Sequence, residues 1–194
     1  MTYSKLILAS TSVYRRELLM RLRIPFDVIA PHVDETPLSG ESPQDLARRL
    51  AHSKALAVAQ AHPKALVIGS DQVVNLVGEC LGKPGNHEKA IVQLRKLSGQ
   101  IVSFETAVSV ISIDAHFKAQ ELVSVKVKFR DLEDSEIESY LRAETPYDCA
   151  GSAKSEGLGI TLLEFIQSDD PTALIGLPLI STCNMLRQAS FKLN

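Results

Sequence analysis

The 194-residue chain contains no tryptophan, and its three cysteines, Cys80, Cys149 and Cys183, lack the CxxC spacing. An odd number of widely separated cysteines argues against a disulfide framework and against a cysteine-ligated metal site. The apolar runs are shorter than the roughly 18 residues of a membrane span, and the run near the start is too short for a secretory signal. We therefore expect a cytoplasmic protein that has no membrane partner.

The chain also lacks an excess of positive charge. Lysine and arginine total 21 and aspartate and glutamate total 23, which gives a formal charge of −2. Because a nucleic-acid backbone is bound mainly by concentrated positive charge, we expect no DNA or RNA polymer as a partner. The 45% hydrophobic content suffices for a buried core, and no linker, repeat or low-complexity segment interrupts the chain. We expect residues 1–194 to form a single domain.

Periodic patterns of apolar residues alternate between strand and helix types along the chain. Ser42 and Pro43 predict the start of a long helix, and Asn86 and Gly99 predict the two ends of another. Strands are predicted at 5–9, 26–30, 65–68, 101–113, 122–129 and 160–166, with a hairpin at 73–83. Helices are predicted at 15–23, from 43 to about 62, from 86 to about 97, from about 135 to 143, and from Pro178. The predicted class is α/β with a mixed sheet.

Two charged residues interrupt apolar patterns. Lys54 falls in the middle of the apolar face of the helix that begins at Pro43. Asp71 follows a fully apolar strand, at the carboxyl end where open α/β sheets place ligand chemistry. Each residue also has a structural explanation, because a lysine can extend its ammonium to water and an aspartate can cap a turn.

Three further segments could bind an anion. Residues 10–16 combine three hydroxyl side chains, a helix start and two arginines, which is favourable for phosphate but is also how helices are capped. Lys83 lies between Gly82 and Pro84 at the end of the hairpin. Glu156 lies in a glycine-bearing loop that permits close approach of a ligand. Together these segments supply the cations, carboxylates and amides that a triphosphate with its metal requires.

Eight segments occur along the chain in a recognisable order: LILASTSVYRRELL, VDETP, LARRLAHSKA, IGSDQVV, GKP, LRKLSG, CAGSAKSEGLG and IGLPL. In this order they resemble the segments of the Maf-type nucleoside triphosphate pyrophosphatases, and most closely those of the YceF-like branch associated with 7-methyl-GTP. The resemblance covers nearly the whole chain.

The resemblance implies a two-lobed, Maf/inosine-triphosphatase-like α/β fold, in which a long, curved mixed sheet is flanked by helices and the nucleotide lies in a central cleft. It also implies a reaction in which water attacks the α-phosphorus to release pyrophosphate. Matching positions make Asp71 the catalytic carboxylate and place Glu35 near the metal. They assign phosphate contacts to Ser10, Arg15, Lys54 and Lys83, and substrate preference to Tyr14, Gln72 and Glu156.

The chemistry of a triphosphate agrees with these residue types. Mg²⁺ or Mn²⁺ would be bound mainly by phosphate oxygens together with Glu35 and Asp71. A carboxylate at Glu156 can accept hydrogen bonds from N1–H and the 2-amino group of guanine, which uracil and thymine lack. The ring of Tyr14 can attract the cationic ring of 7-methylguanine.

The sequence leaves several alternatives open. One is a dTTP/UTP pyrophosphatase of the same family, and another is a nucleotide-binding regulator of septum formation without catalysis. The sequence also does not decide the oligomeric state, a homodimer included, the preferred metal, or whether Asp71 takes a proton or holds the cation.

Overall fold

The computed structural model describes residues 3–193, in which seven strands form one mixed sheet and five α-helices pack around it. The strands are β1 (Leu6–Ala9), β2 (Asp27–Ile29), β3 (Leu66–Leu76), β4 (Glu79–Leu81), β5 (Ile101–Ser112), β6 (Phe117–Phe129) and β7 (Leu163–Gln167). The helices are α1 (Val13–Met20), α2 (Pro43–Ala61), α3 (His87–Leu97), α4 (Asp134–Glu144) and α5 (Leu179–Gln188). The predicted α/β class is confirmed.

The sheet order is β2-β1-β3-β5-β6-β7, and β4 pairs with β3. β1 runs parallel to β2 and β3, whereas the other pairings are antiparallel. The predicted pairing of two long strands is confirmed, since β5 and β6 pair from Ile101↔Lys128 to Ser112↔Phe117. The last strand begins at Leu163, later than predicted, because Leu158–Leu162 form a short 3₁₀ helix.

The prediction that the third strand ends before Asp71 is wrong. β3 continues to Leu76 because β5 pairs with it without interruption from Val67 to Asn75. On the opposite side, β1 pairs with β3 only as far as Gly69, and the pairing of β3 with β4 begins at Val74. Residues 70–73 therefore have no neighbouring strand on that side. We call this gap the sheet opening, and it contains Asp71 and Gln72.

The long helix α2 covers the sheet beside this opening. Ser42 is its N-cap, as predicted, and its side chain accepts a hydrogen bond from the Asp45 amide. The buried face consists mainly of alanine and leucine but includes Lys54, as its helical spacing predicts. The other expected helices and the hairpin are also present, and Asn86 caps α3 as predicted.

Two buried clusters lie on either side of the sheet opening. One contains Leu8, Leu18, Ile68 and Met185, and the other contains Val74, Leu94, Phe104 and Tyr140, among other residues. Both β3 and β5 contribute to both clusters, so the opening lies between two packed regions of the same sheet. The division into a single domain with two lobes stays a prediction. Among residues 3–193, no helix is both long and apolar enough to cross a membrane.

Close packing between α2 and β3 depends on Gly69. A Cβ atom at this position would lie 2.4 Å from the Ala51 carbonyl oxygen and 2.6 Å from the Ala55 nitrogen. Both neighbours belong to the backbone of α2, so a side chain here would displace the helix. Lys54 lies on the same helix, between these two residues, and its position is set by this contact.

We predict that Gly69→Ala lowers the free energy of unfolding by about 1–3 kcal/mol, because it overpacks the contact between helix and strand. Urea denaturation measures the change. Gly82→Ala is the matched control, since a Cβ there has no atom within 4 Å. Equal stability of the two variants would contradict this account of the packing.

Candidate active site

Lys54 binds two carboxylates beside the sheet opening. Its Nζ lies 2.6 Å from Asp71 Oδ1 and 2.9 Å from Glu35 Oε1. Lys54 and Asp71 are only 5% and 6% exposed, whereas the Glu35 side chain is more than half exposed. The anion that an inward-facing lysine requires is therefore supplied by these two carboxylates. The ammonium retains one hydrogen for a further acceptor, because it carries three.

The turn from Ser10 to Ser12 leads into α1, and Ser12 is the N-cap of that helix. Ser10 Oγ accepts a hydrogen bond from the Ser12 amide at 3.1 Å, and Ser12 Oγ accepts one from the Arg15 amide at 3.4 Å. Ser10 is buried, at 3% exposure. The amides at this helix start and the Ser10 hydroxyl hydrogen are groups that can donate to an anion.

Arg15 connects the start of α1 to a distant loop. Its Nε donates to the Gly176 carbonyl oxygen at 2.8 Å, and Ser70 Oγ lies between this oxygen, at 2.9 Å, and the Ala107 carbonyl oxygen, at 2.8 Å. Burial lowers the pKa of the Arg15 guanidinium, while the negative charges of Asp71 and Glu35 raise it. An arginine guanidinium does not lose its proton in proteins, so Arg15 is a permanent cation.

Two adjoining cavities contain nearly all of the predicted site residues. The smaller one, of about 220 Å³, is lined by Ser10, Arg15, Glu35, Lys54 and Lys83 together with backbone and side chains of 11–12 and 30–33. The larger one, of about 280 Å³, is lined by Tyr14, Arg15, Gln72, Lys83 and Glu156, among others. Arg15 and Lys83 line both cavities and therefore mark their junction. Asp71 lines neither, and reaches the smaller cavity through Lys54.

Gln72 supports the wall of the larger cavity. Its Nε2 lies 2.9 Å from Thr106 Oγ1 and 3.0 Å from the carbonyl oxygens of both Ala173 and Leu174. These three acceptors occupy the amide hydrogens, so Gln72 holds the Ala173–Ile175 turn in place. Among residues 3–193, Gln72 Oε1 has no protein hydrogen-bond partner, which leaves it to accept from a ligand.

Tyr14, which lines the larger cavity, lies close to two charged groups. Its hydroxyl donates to Asp148 Oδ1 at 3.3 Å, and Lys154 Nζ lies 5.6 Å from the centre of its ring. Burial raises the pKa of the Tyr14 hydroxyl well above its usual value, so the hydroxyl remains protonated. Lys154 therefore lies over the Tyr14 ring, where the sequence predicts the cationic ring of 7-methylguanine.

Three acidic residues near these cavities were missed by the sequence reasoning. Asp148 lines the larger cavity. Glu144 accepts a hydrogen bond from the Leu158 amide at 3.1 Å and lies 3.4 Å from Lys154 Nζ, so it supports the turn that carries Glu156. Glu41 binds Arg49 of α2. No periodic signal marks these residues, because their partners are remote in sequence or lie in loops.

Glu41 and Arg49 hold the segment that carries Glu35. Arg49 donates from Nε to Glu41 Oε1 at 2.6 Å and from Nη2 to Oε2 at 2.8 Å. The same Nη2 donates to the Thr36 carbonyl oxygen at 3.0 Å. Hydrogen bonding to Arg49 lowers the pKa of Glu41 to about 2. Arg49 thereby connects α2 to the residue that follows Glu35.

Metal binding would depend on few protein ligands. Within the described part of the chain, no group of three or more histidine, cysteine, aspartate or glutamate side chains is arranged to hold a metal ion. Glu35 and Asp71 are the carboxylates that contact Lys54, and each does so through one oxygen. This set fits a hard cation that takes most of its ligands from phosphate and water.

An α/β fold with cationic groups at a helix start and two adjoining cavities is typical of proteins that bind phosphorylated small molecules. Comparison with known protein families identifies one family within this class. Residues 5–189 match the family model described as Maf-like protein, and the chain belongs to this family.

Curated relatives agree along nearly the full length. A protein named 7-methyl-GTP pyrophosphatase from Albidiferax ferrireducens is 62% identical over 188 residues, covering 97% of this chain and 94% of the relative. Proteins with the same name from Polaromonas sp. and Cupriavidus pinatubonensis are 62% and 55% identical, covering 99% and 96% of this chain and 88% and 94% of their own lengths.

The solved structure of the Staphylococcus aureus Ham1 protein has a TM-score of 0.47 and 21% identity, covering 65% of this chain and 72% of that chain. A similarity this distant supports no conclusion about the site.

We predict that Lys54→Met lowers the free energy of unfolding by about 3 kcal/mol, because it leaves the buried Asp71 charge without its cation. The double variant Lys54→Met/Asp71→Asn should recover part of this loss, since the buried group is then neutral. Urea denaturation at neutral pH compares the two. If the double variant is no more stable than Lys54→Met, the ion pair does not explain the buried lysine.

We predict that the stabilisation by Glu41 depends on pH. The pKa of Glu41 is about 2 in the folded protein and about 4.3 in an unfolded chain. Its contribution is therefore complete above the unfolded value and disappears as the pH falls towards 2. The difference in urea midpoint between wild type and Glu41→Gln should shrink between pH 5 and pH 3. Glu121→Gln, which changes an exposed carboxylate on β6, is the control, and a constant difference for Glu41→Gln would refute the prediction.

Proposed function

We propose that this protein hydrolyses 7-methyl-GTP to 7-methyl-GMP and pyrophosphate, and so removes a modified nucleotide from the cellular pool. The supporting observation is the distribution of charge between the two cavities. Arg15 and Lys83 lie at the junction, whereas Asp148 and Glu156 line only the larger cavity. A ligand with an anionic tail and a cationic base matches this arrangement.

The triphosphate fits the smaller cavity and the junction. Lys54, Lys83 and Arg15 neutralise charge on the phosphate oxygens and on the leaving pyrophosphate. Ser10 and the amides at the start of α1 add hydrogen-bond donors. Because Arg15 and Lys54 are held by Gly176, Glu35 and Asp71, their charges are in place before the nucleotide binds.

Asp71 is the candidate for activating water. Its Oδ1 is occupied by Lys54, and no described protein group bonds to Oδ2, which can therefore accept a proton from water. A general base of this kind contributes about 10²–10⁴-fold to the rate. In the alternative role of Asp71, its free oxygen and Glu35 would instead hold Mg²⁺ or Mn²⁺, which would supply positive charge to the phosphates and acidify bound water.

The guanine base fits the larger cavity. The Glu156 carboxylate can accept from N1–H and the 2-amino group, and Gln72 and Tyr14 form the adjacent walls. The dTTP/UTP alternative is less favoured because thymine and uracil do not present this pair of donors.

The three thiols are free, which supports a reducing, cytoplasmic compartment. A homodimer stays a prediction.

Pyrophosphate release tests the proposal. With Mg²⁺ or Mn²⁺, we expect a higher kcat/KM for 7-methyl-GTP than for GTP, dTTP or UTP, and we expect a chelator to abolish activity. In ¹⁸O-labelled water the label should enter 7-methyl-GMP, because water attacks the α-phosphorus. Asp71→Asn should lower kcat by about 10²–10⁴-fold, whereas Glu121→Gln should not.

Three results would overturn the proposal. A preference for dTTP or UTP would favour the other branch of the family, and label in pyrophosphate would place the attack on a different phosphorus. If the protein binds nucleotide but releases no pyrophosphate from any of the four, the non-catalytic regulator becomes the better interpretation.

A further inference from the structure

Recognition of a methylated guanine poses a problem that Glu156 does not solve. The donors that Glu156 can bind, N1–H and the 2-amino group, are present in GTP as well as in 7-methyl-GTP. Methylation at N7 adds a methyl group and a positive charge on the ring. A residue that distinguishes the two nucleotides must therefore respond to that charge or to that methyl group.

The ring of Tyr14 is a weak source of this discrimination. Lys154 Nζ already lies 5.6 Å from the centre of this ring, so a second cation over the same ring would be repelled by the lysine charge. The charge of Lys154 is balanced by Glu144, whose Oε2 lies 3.4 Å away. Lys154 and Glu144 together therefore contribute little net charge to the cavity.

Asp148 is the remaining charged group that lines only the larger cavity. Besides Asp148 and Glu156, the charged residues of this cavity are Arg15 and Lys83 at the junction, where the phosphates are proposed to bind. The side chain of Asp148 is exposed, and both of its contacts in the described chain, with Tyr14 and Cys149, are made by Oδ1. Its Oδ2 is therefore open to solvent or ligand.

The backbone around Asp148 is anchored to the loop that carries Lys83. The Gly85 amide donates to the Tyr147 carbonyl oxygen at 2.9 Å, and the Tyr147 hydroxyl lies 2.8 Å from His87 Nδ1. The Tyr14 hydroxyl then fixes the carboxylate itself. Asp148 is thus held at a defined place in the wall of the cavity.

We propose that Asp148 is a specificity-determining residue that recognises the positive charge of an N7-alkylated purine. This inference rests on the proposed function, since it assigns the selection of the base to two carboxylates with different tasks. Glu156 recognises the hydrogen-bonding edge of guanine, and Asp148 recognises the charge that methylation creates.

Three nucleotides separate charge from shape. GTP is neutral in its base, 7-methyl-GTP is cationic, and 7-methyl-7-deaza-GTP carries the methyl group at the same place on a neutral ring. Asp148→Asn is the informative variant, because the amide oxygen can still accept from the Tyr14 hydroxyl while the charge is lost. Glu156→Gln and Glu121→Gln are the comparison variants.

We expect Asp148→Asn to lower the ratio of kcat/KM for 7-methyl-GTP to that for 7-methyl-7-deaza-GTP by about tenfold, or about 1.4 kcal/mol, as for one screened charge pair. Glu156→Gln should lower kcat/KM for all three nucleotides without a comparable change in this ratio. In the wild type the ratio should fall with rising salt concentration, and this salt dependence should be weaker in Asp148→Asn. Tyr14→Phe, which keeps the Asp148 charge, should change the ratio less than Asp148→Asn does.

Other outcomes would overturn the inference. If Asp148→Asn lowers kcat/KM for all three nucleotides equally, Asp148 has a structural role. If it leaves all three kcat/KM values unchanged, the charge is recognised elsewhere. Both results are obtained with an enzyme that still hydrolyses 7-methyl-GTP, so they differ from failure of the proposed function, in which wild type itself does not prefer that nucleotide.

Discussion

The buried ammonium of Lys54 is the interaction on which the site depends. It holds Asp71 and Glu35 together although they come from a strand and a loop that are far apart in sequence. A buried carboxylate without a cation would be costly, so each charge requires the other. The position of Lys54 in turn requires the close contact between α2 and Gly69. The close packing of Gly69 against α2 and the position of the Lys54 charge therefore depend on each other.

The sheet opening explains why polar groups can lie in the middle of a long strand. β5 satisfies the backbone of β3 on one side throughout, while β1 and β4 leave residues 70–73 uncovered on the other. Asp71 and Gln72 use this gap in different ways. Asp71 turns towards Lys54, and Gln72 supports the Ala173–Ile175 turn. One interruption in pairing therefore serves both the phosphate end and the base end of the proposed ligand site.

The two cavities differ in the residues that define them and in how those residues are held. At the junction, Arg15 is fixed by the Gly176 carbonyl oxygen, to which its Nε donates. At the far end of the larger cavity, Asp148 is held by Tyr14, and the turn that carries Glu156 is held by Glu144. Groups that bind each other in the free protein lose little freedom when a ligand binds, and this preorganisation favours both affinity and selectivity.

The sequence alone determined the helices and strands and the presence of an ammonium on a buried helix face, because periodicity and capping are local properties. The order of its motifs was sufficient to indicate the family. It did not determine that β3 passes through Asp71, since only pairing with β5 extends that strand. It also gave no sign of Asp148, Glu144 or the Glu41–Arg49 pair. These carboxylates acquire their roles from partners that the chain brings near only on folding, so the tertiary structure alone decided them.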